Sequence, residues 1–199
     1  MGITIDGDKI EEITMDGDEI VEVTMDGVTV WELEIWPDGG GYIYDKSTHE
    51  DEWADAIIEE TGDIILQAEK KPEHLYLLAD AVDTHDVGEI IFYSKETIDL
   101  TEYDNISIQW KGTFGKESSG SSAMFIVSKN QIGNYDDYDA RVLNEAYNFD
   151  TTDTIDISGS EFNDDFYIRI HAEVHRRIHS SSYHYNNSAE IEVYEIQLS

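Results

Sequence analysis

Three histidines stand four residues apart, His171, His175 and His179, with His184 close behind. On a helix that spacing stacks three imidazoles on one side, an arrangement able to ligate a transition metal. The residues between them argue for a strand instead. Phe166, Ile168, Ile170, Ala172, Val174 and Ile178 share even parity, so one face of an extended segment is apolar. The histidines then fall on the opposite, outward face with Tyr167, Arg169, Glu173 and Arg177. Side chains four apart on one strand are separated by about 13 Å, too far to share one ion. The face is therefore read as solvated or as a subunit contact, and no metal is assigned. It also gathers Arg169, Arg176 and Arg177, three of the chain's four arginines. Such a basic strip lets strongly acidic neighbours pack without repulsion, or recognises an acidic partner. Packing is the favoured role.

Tyrosine-rich loops offer a second chemistry. NYDDYDA (134–140) and SSSYHYNNS (180–188) set Tyr135, Tyr138, Tyr183 and Tyr185 beside amides and carboxylates. A sugar site needs an apolar ring bordered by planar hydrogen-bonding groups. The candidate surface or ligand contacts are thus Tyr135, Tyr138, Arg169, His171, His175, Arg177, Tyr183 and Tyr185. Asn105-Ile-Ser and Asn186-Asn-Ser fit the N-glycosylation pattern. Catalysis has no comparable pointer. Acids are everywhere, so none forms an informative pair, and no Gly-x-Ser-x-Gly elbow, phosphate-binding loop or HExxH occurs. The chain is expected not to be an enzyme and to need no cofactor.

The elements that must carry these residues are short strands. HLYLLADAV (74–82), GEIIFYS (88–94), NISIQW (105–110), SAMFIV (122–127), DFYIRIHAEV (165–174) and AEIEVYEIQL (189–198) read as strands. KGTFGKESSGSS and NQIGNYDDYD, rich in Gly, Ser, Asn and Asp, read as loops. HEDEWADAIIEE (49–60) fits helix and strand equally. Many strands without βαβ alternation indicate an all-β antiparallel jelly-roll or β-sandwich domain.

With 199 residues, 40% of them hydrophobic, the chain can form a real core. It has no run of about 18 apolar residues, so membrane insertion is not expected. MGITIDGDKI lacks the basic-then-apolar order of a secretory signal. No cysteine is present, which excludes disulfides and zinc-thiolate sites. Acidic side chains number 45 against 12 basic ones, a formal net charge of −33. Phosphate backbones demand Lys and Arg, so nucleic acid is excluded as a partner. Self-repulsion on this scale opposes compaction until salt screens it, at a Debye length near 3 Å in molar salt. A high-salt host is the expectation.

The amino end repeats a ten-residue phrase, with Asp-Gly at 6–7, 16–17 and 26–27 between β-prone flanks. That is the signal of a two-residue type I′ hairpin turn. The turns set Ile3, Ile5 and Ile10 on one face, then Ile13, Met15 and Ile20, then Val23, Met25 and Val30, with Trp31 closing the series. These ten residues form the expected assembly face. Ile10 and Ile13, and again Ile20 and Val23, are three apart, so bends at Glu11-Glu12 and Val21-Glu22 are needed to keep one apolar side. The DGD triplets fit the turn without calcium, since no Glu follows at EF-hand spacing. A hairpin repeat occupies 1–36, a linker around PDGGG occupies 37–45, and the sandwich domain occupies 46–199.

Asp6-Gly7, Asp16-Gly17, Asp26-Gly27 and Val30-Trp31 resemble the "xIxVDGxxIxxIxVDGxxVW" repeats at the amino ends of tail and baseplate-associated structural proteins of tailed viruses. ETIDLTEYDNISIQW (96–110) and DTIDISGSEFNDDFYIRIHAEV (153–174) resemble the jelly-roll, carbohydrate-binding-like domains of such proteins. With the acid excess, the resemblance implies a tailed virus of a haloarchaeon. It implies a virion structural protein of the tail or its distal tip or fibre apparatus, located in the extracellular particle. Its partners would be other virion proteins and copies of itself, as a trimer or higher homo-oligomer, with a host cell-surface glycan or S-layer as a further partner. The alternatives are a capsid decoration or turret protein, and a carbohydrate-binding module or glycan hydrolase.

Overall fold

Alternation of apolar and polar residues dictates most of the observed secondary structure. The computed structural model describes residues 14–15, 18–19, 22–25, 28–32, 42–45, 50–81, 87–115, 120–133, 136–145, 148–175 and 187–199, the first four of these segments and residues 50, 175 and 187 in their backbone alone. Two compact units divide the chain, Met1–Pro37 and Asp38–Ser199.

In the first unit β1 (Thr14–Met15) pairs antiparallel with β2 (Asp18–Glu19), and β3 (Glu22–Met25) with β4 (Val28–Glu32). Thr14 opposes Glu19 and Met15 opposes Asp18, the register a two-residue connection demands. Met25 opposes Val28 and Thr24 opposes Thr29, but Val23 opposes Trp31 because the register shifts between Val23 and Thr24. The irregularity thus falls inside the third hairpin, where the sequence suggested a regular pairing. Ile3, Ile5, Ile10, Ile13 and Ile20 lie outside the described residues, as do both suggested bends except at Glu22.

The second unit begins with β5 (Tyr42–Asp45), which pairs with the last strand. Four residues assigned to the linker by sequence are therefore part of the sandwich. Tyr44 explains why: it is fully buried, with its ring 6.3 Å from that of Trp53. A 3-10 turn at Glu50–Glu52 leads into β6 (Trp53–Thr61), so the ambiguous 49–60 segment is extended, not helical. Gly62, at φ 92°, turns the chain into β7 (Ile64–Lys71), a left-handed conformation suited to glycine. Then follow β8 (His74–Ala81), β9 (Val87–Ser94), β10 (Ile98–Asp99), β11 (Asn105–Phe114) and β12 (Ser121–Ser128). β13 (Ala140–Asn144), β14 (Asn148–Asp156), a 3-10 turn at Ser160–Phe162, β15 (Asp165–His175) and β16 (Asn187–Leu198) complete the unit. Lys111 to Phe114, read as loop from sequence, continue β11.

The unit is an antiparallel β-sandwich of jelly-roll type. One sheet has the order β13-β12-β15-β9-β6, with β10 also pairing β15; the other runs β14-β11-β16-β8-β7, with β5 also pairing β16. Facing residues fill the space between: Leu75, Leu77, Ile90, Phe92, Ile106, Ile108, Trp110, Phe125, Ile168, Ile170, Ile191 and Val193 are all essentially inaccessible. Each such side chain contributes about 1.5–3 kcal/mol on leaving water. The even-parity residues of β15 belong to this core.

Two sequence phrases set the strand ends by one mechanism. Asp99 accepts from the Thr101 amide at 2.9 Å and its hydroxyl at 2.5 Å, while Asp156 accepts from the Ser158 amide at 3.0 Å and its hydroxyl at 2.6 Å. These Asx turns bring Leu100 and Ile157 back into the core. The same bonds hold both carboxyls below their ordinary pKa.

Candidate functional site

Each sheet has an outer face, and the two differ in chemistry. On the first sheet, β15 points Arg169, His171 and Glu173 away from the core. Pairing sets Tyr93 and Ile126 beside Arg169, Ile91 and Met124 beside His171, and Glu89 and Ser122 beside Glu173. The outward parity matches the sequence pattern, but the solvated state does not: Arg169 and His171 are 0% exposed and Glu173 is 6% exposed.

Burial here comes with specific bonding. The Nδ1–H of His171 donates to Glu89 Oε1, and Ser122 Oγ donates to Glu173 Oε2 at 2.9 Å. Burial, reinforced by the Arg169 charge, pushes the His171 pKa down to about 3, so its ring is neutral and Nε2 carries no proton. The loop between β12 and β13 covers Arg169. An Nη2 hydrogen goes to the Asp137 carbonyl, and a Cβ on Gly133 would stand 2.5 Å from Nη1 and from Asp137 Oδ2, so a side chain there would displace these groups. Asn130 Nδ2 donates to both Asp137 carboxylate oxygens, at 3.0 and 2.8 Å, and the Lys129 amide donates to Asp139 Oδ2 at 2.8 Å. Arg169 Nε, Arg169 Nη1 and His171 Nε2 have no hydrogen-bond partner among the described residues. Desolvation lowers the Arg169 pKa, while Asp137, Glu89 and Asp139 oppose that shift.

Of the sequence-derived contacts, the structure brings Arg169, His171 and the Tyr138 loop together. Tyr138 is 41% exposed, with the Arg141 guanidinium stacked 4.3 Å from its ring centre. Tyr135, Arg177, Tyr183 and Tyr185 lie outside the described residues, and His175 is described in its backbone alone.

The second sheet's outer face is open. β8 alternates buried and partly exposed residues, so His74 and Tyr76 point outward from it. On β16 the core positions step by three, from Val193 to Ile196, and the register shifts where the strand passes Gln109 and Trp110. That bulge sets Tyr194 outward beside His74. Ring centres of His74 and Tyr194 are 5.6 Å apart, and those of His74 and Tyr76 are 6.4 Å apart. Cross-strand neighbours form a polar border in the order Asp150, Lys111, Glu192, Tyr76, Glu69. Tyr76 donates its hydroxyl hydrogen to Glu190 Oε1 at 3.1 Å, and Tyr194 donates to Glu192 Oε2. Burial, then the Glu190 bond, raises the Tyr76 pKa to about 12; the Glu192 bond, then burial, raises that of Tyr194 to about 12. Glu192 is held below its ordinary value by the Tyr194 hydroxyl and by Lys111, whose Nζ is 3.4 Å away. Tyr76 is marked in the sequence as a ring inside the apolar run LYLL at a position that does not face the core, a signal that the strand assignment alone does not use.

Such a face can do two things. Its rings offer flat apolar surface for a pyranose, and its carboxylates and the Lys111 ammonium offer acceptors and a donor for hydroxyls. No cluster of three or more His, Cys, Asp or Glu suited to a metal occurs among the described residues.

No protein-family profile matches the sequence, and no curated relative matches it. Solved structures with a similar arrangement include the glycoside hydrolase domain of Endo-D from Streptococcus pneumoniae R6, at 13% identity and a TM-score of 0.45, covering 74% of this chain and 21% of that one. The enzymatically active domain of bacteriophage CBA120 tailspike protein 4 is similar at 10% identity and a TM-score of 0.39, over 75% of this chain and 20% of that one. The mannan-recognising carbohydrate-binding module TmCBM27 is similar at 12% identity and a TM-score of 0.41, over 80% of this chain and 98% of that one. This chain thus spans about a fifth of the first two and nearly all of the third. Likeness at this level concerns the sandwich and carries no argument about function.

Proposed function

We propose that this chain is a non-catalytic, glycan-binding adhesion protein of a multi-copy particle, of the virion-tail kind. The reading rests on the partly exposed His74, Tyr76 and Tyr194 rings, bordered by Glu190, Glu192 and Lys111 on a rigid sheet. A sugar ring stacks on an aromatic face while its hydroxyls meet the surrounding carboxylates, and the platform supplies both parts without rearrangement. Strands of the sandwich hold the rings, so binding requires little ordering of the chain. The assembly half of the reading is supported by the Asp-Gly hairpin repeat, which resembles the amino ends of tail structural proteins. Copies arrayed about a symmetry axis would turn weak single-site contacts into firm attachment.

A glycan array probed with the protein, and with its Tyr194→Ala and Tyr76→Ala variants, tests the adhesion reading. Binding to at least one oligosaccharide, weakened roughly tenfold or more by Tyr194→Ala, is expected. Binding that survives both substitutions, or no binding to any glycan, would overturn it. Localisation and copy number in the intact particle test the tail assignment separately.

A further inference from the structure

We infer that the platform selects saccharides bearing a free primary amine over neutral or acidic ones. This rests on the glycan-binding reading and names the ligand class of the same rings. The first observation is a cation already seated there. Lys71 Nζ lies 3.4 Å from the centre of the Tyr76 ring, with Glu69 Oε2 at 3.7 Å. The platform's geometry therefore accepts an ammonium group between a ring face and a carboxylate. The neighbouring Tyr194 ring has no cation over it among the described residues.

The second observation is the sign of the field at that open ring. Glu192, Asp150 and Glu73 all act on the Tyr194 hydroxyl, and Glu190, Glu69 and Glu192 act on that of Tyr76. Lys71 and Lys111 answer these charges in part, and both are already engaged with Glu69 and Glu192. Glu192 stays ionised into acid because Tyr194 and Lys111 hold its pKa down. An ammonium on a pyranose stacked at Tyr194 would meet this carboxylate directly. A uronate or sulfate ester would meet the same charges with the opposite sign, on a chain whose formal net charge is −33.

Titration calorimetry with three probes decides the point: the tetramers of glucosamine, N-acetylglucosamine and galacturonate, at about pH 6 and about 0.15 M salt. The glucosamine tetramer is expected to bind at least roughly tenfold tighter than the acetylated one, with no galacturonate binding. Glu192→Gln should bring the first two to within about threefold, because the substituted amide keeps the shape and loses the charge. Tyr194→Ala, which leaves the net charge unchanged, should abolish the preference. If the preference persists in Tyr194→Ala, attraction of any polycation to an acidic protein explains it and the proposal is overturned. Equal or tighter binding of the acetylated tetramer overturns the amine preference alone and leaves glycan binding standing. Failure of every oligosaccharide to bind removes the glycan reading and this one with it.

Discussion

The two outer faces of the sandwich arise from the same alternation of residues and use their charges in opposite ways. On β15, Arg169 and His171 are withdrawn from water and held by the Asp137 carbonyl and Glu89. On β8 and β16, Tyr76, Tyr194, Glu190 and Glu192 remain partly exposed and bond mainly to one another. The difference lies in what covers the sheet. Asp137 and Gly133, on the β12–β13 loop, lie against the Arg169 guanidinium, whereas no described loop bonds to the Tyr76–Tyr194 platform. Outward parity therefore does not mean solvation. A covered polar face becomes part of the architecture, while an uncovered one is free to meet a ligand.

Truncating the buried cation should produce the largest effect. In Arg169→Ala, Asp137, Asp139 and Glu89 lose the positive charge that acts on them, and the loop loses its bond to the sheet. A loss of about 2–5 kcal/mol is expected in urea unfolding, because truncating a fully buried long side chain leaves a cavity and releases the loop. Tyr76→Ala, on the open face, should cost less than about 1.5 kcal/mol. Equal costs for the two variants would erase the distinction between the faces.

Acid should find the same asymmetry. The unfolded His171 ring takes up a proton near its ordinary 6.5, whereas the folded one does so only at about 3. Between these values the unfolded state holds more protons, so stability is complete above the upper value and falls as pH drops through the window. The slope from this group approaches about 1.4 kcal/mol per pH unit. Glu89, Glu173 and Arg169 share the buried site with this ring. Asp99, Asp156 and Asp164, held below their ordinary values, add losses only below about pH 4. His171→Leu should flatten the upper part of the profile, from about pH 6.5 to 4.5, measured as unfolding free energy. An unchanged profile would show that this ring is not what acid attacks.

Much of the sandwich was legible because period-two alternation is a direct consequence of strand geometry. HLYLLAD and DFYIRIHAEV declare their core faces residue by residue. β14 was not legible, since NFDTTDTID offers only Phe149 and Ile155 as buried apolar residues. Its pairing is secured from β11, where Trp110 donates to Asp153 Oδ2 at 2.7 Å and stacks edge-on against Phe149. β7 was hidden by its edge position, where Glu69 and Lys70 stay exposed and weaken the alternation. The histidine strand shows the limit most clearly. Parity placed Arg169 and His171 on the correct side of β15, but the bonds that hold them come from Glu89 and from a loop at Asp137, far away in sequence. Tyr194 escaped notice for a related reason. Its outward direction follows from a bulge whose only trace is the three-residue step between Val193 and Ile196.

The smallest effect should come from an ion pair on the open face. Lys111 Nζ stands 3.4 Å from Glu192 Oε2, with side-chain exposures of 46% and 23%. Water competes for both groups, and Glu192 keeps the Tyr194 hydroxyl when the lysine is removed. Lys111→Ala should therefore cost no more than about 0.5 kcal/mol in urea unfolding at about 0.1 M salt. At about 1 M salt, where the screening length falls near 3 Å, even that difference should vanish. The cost of Arg169→Ala should persist, because the lost packing and the lost bond to the Asp137 carbonyl do not depend on screening. A salt-insensitive loss above about 1.5 kcal/mol for Lys111→Ala would mean that the platform is a closed structural face. Its rings would then be unavailable to any ligand, and the contrast on which the adhesion reading depends would fail.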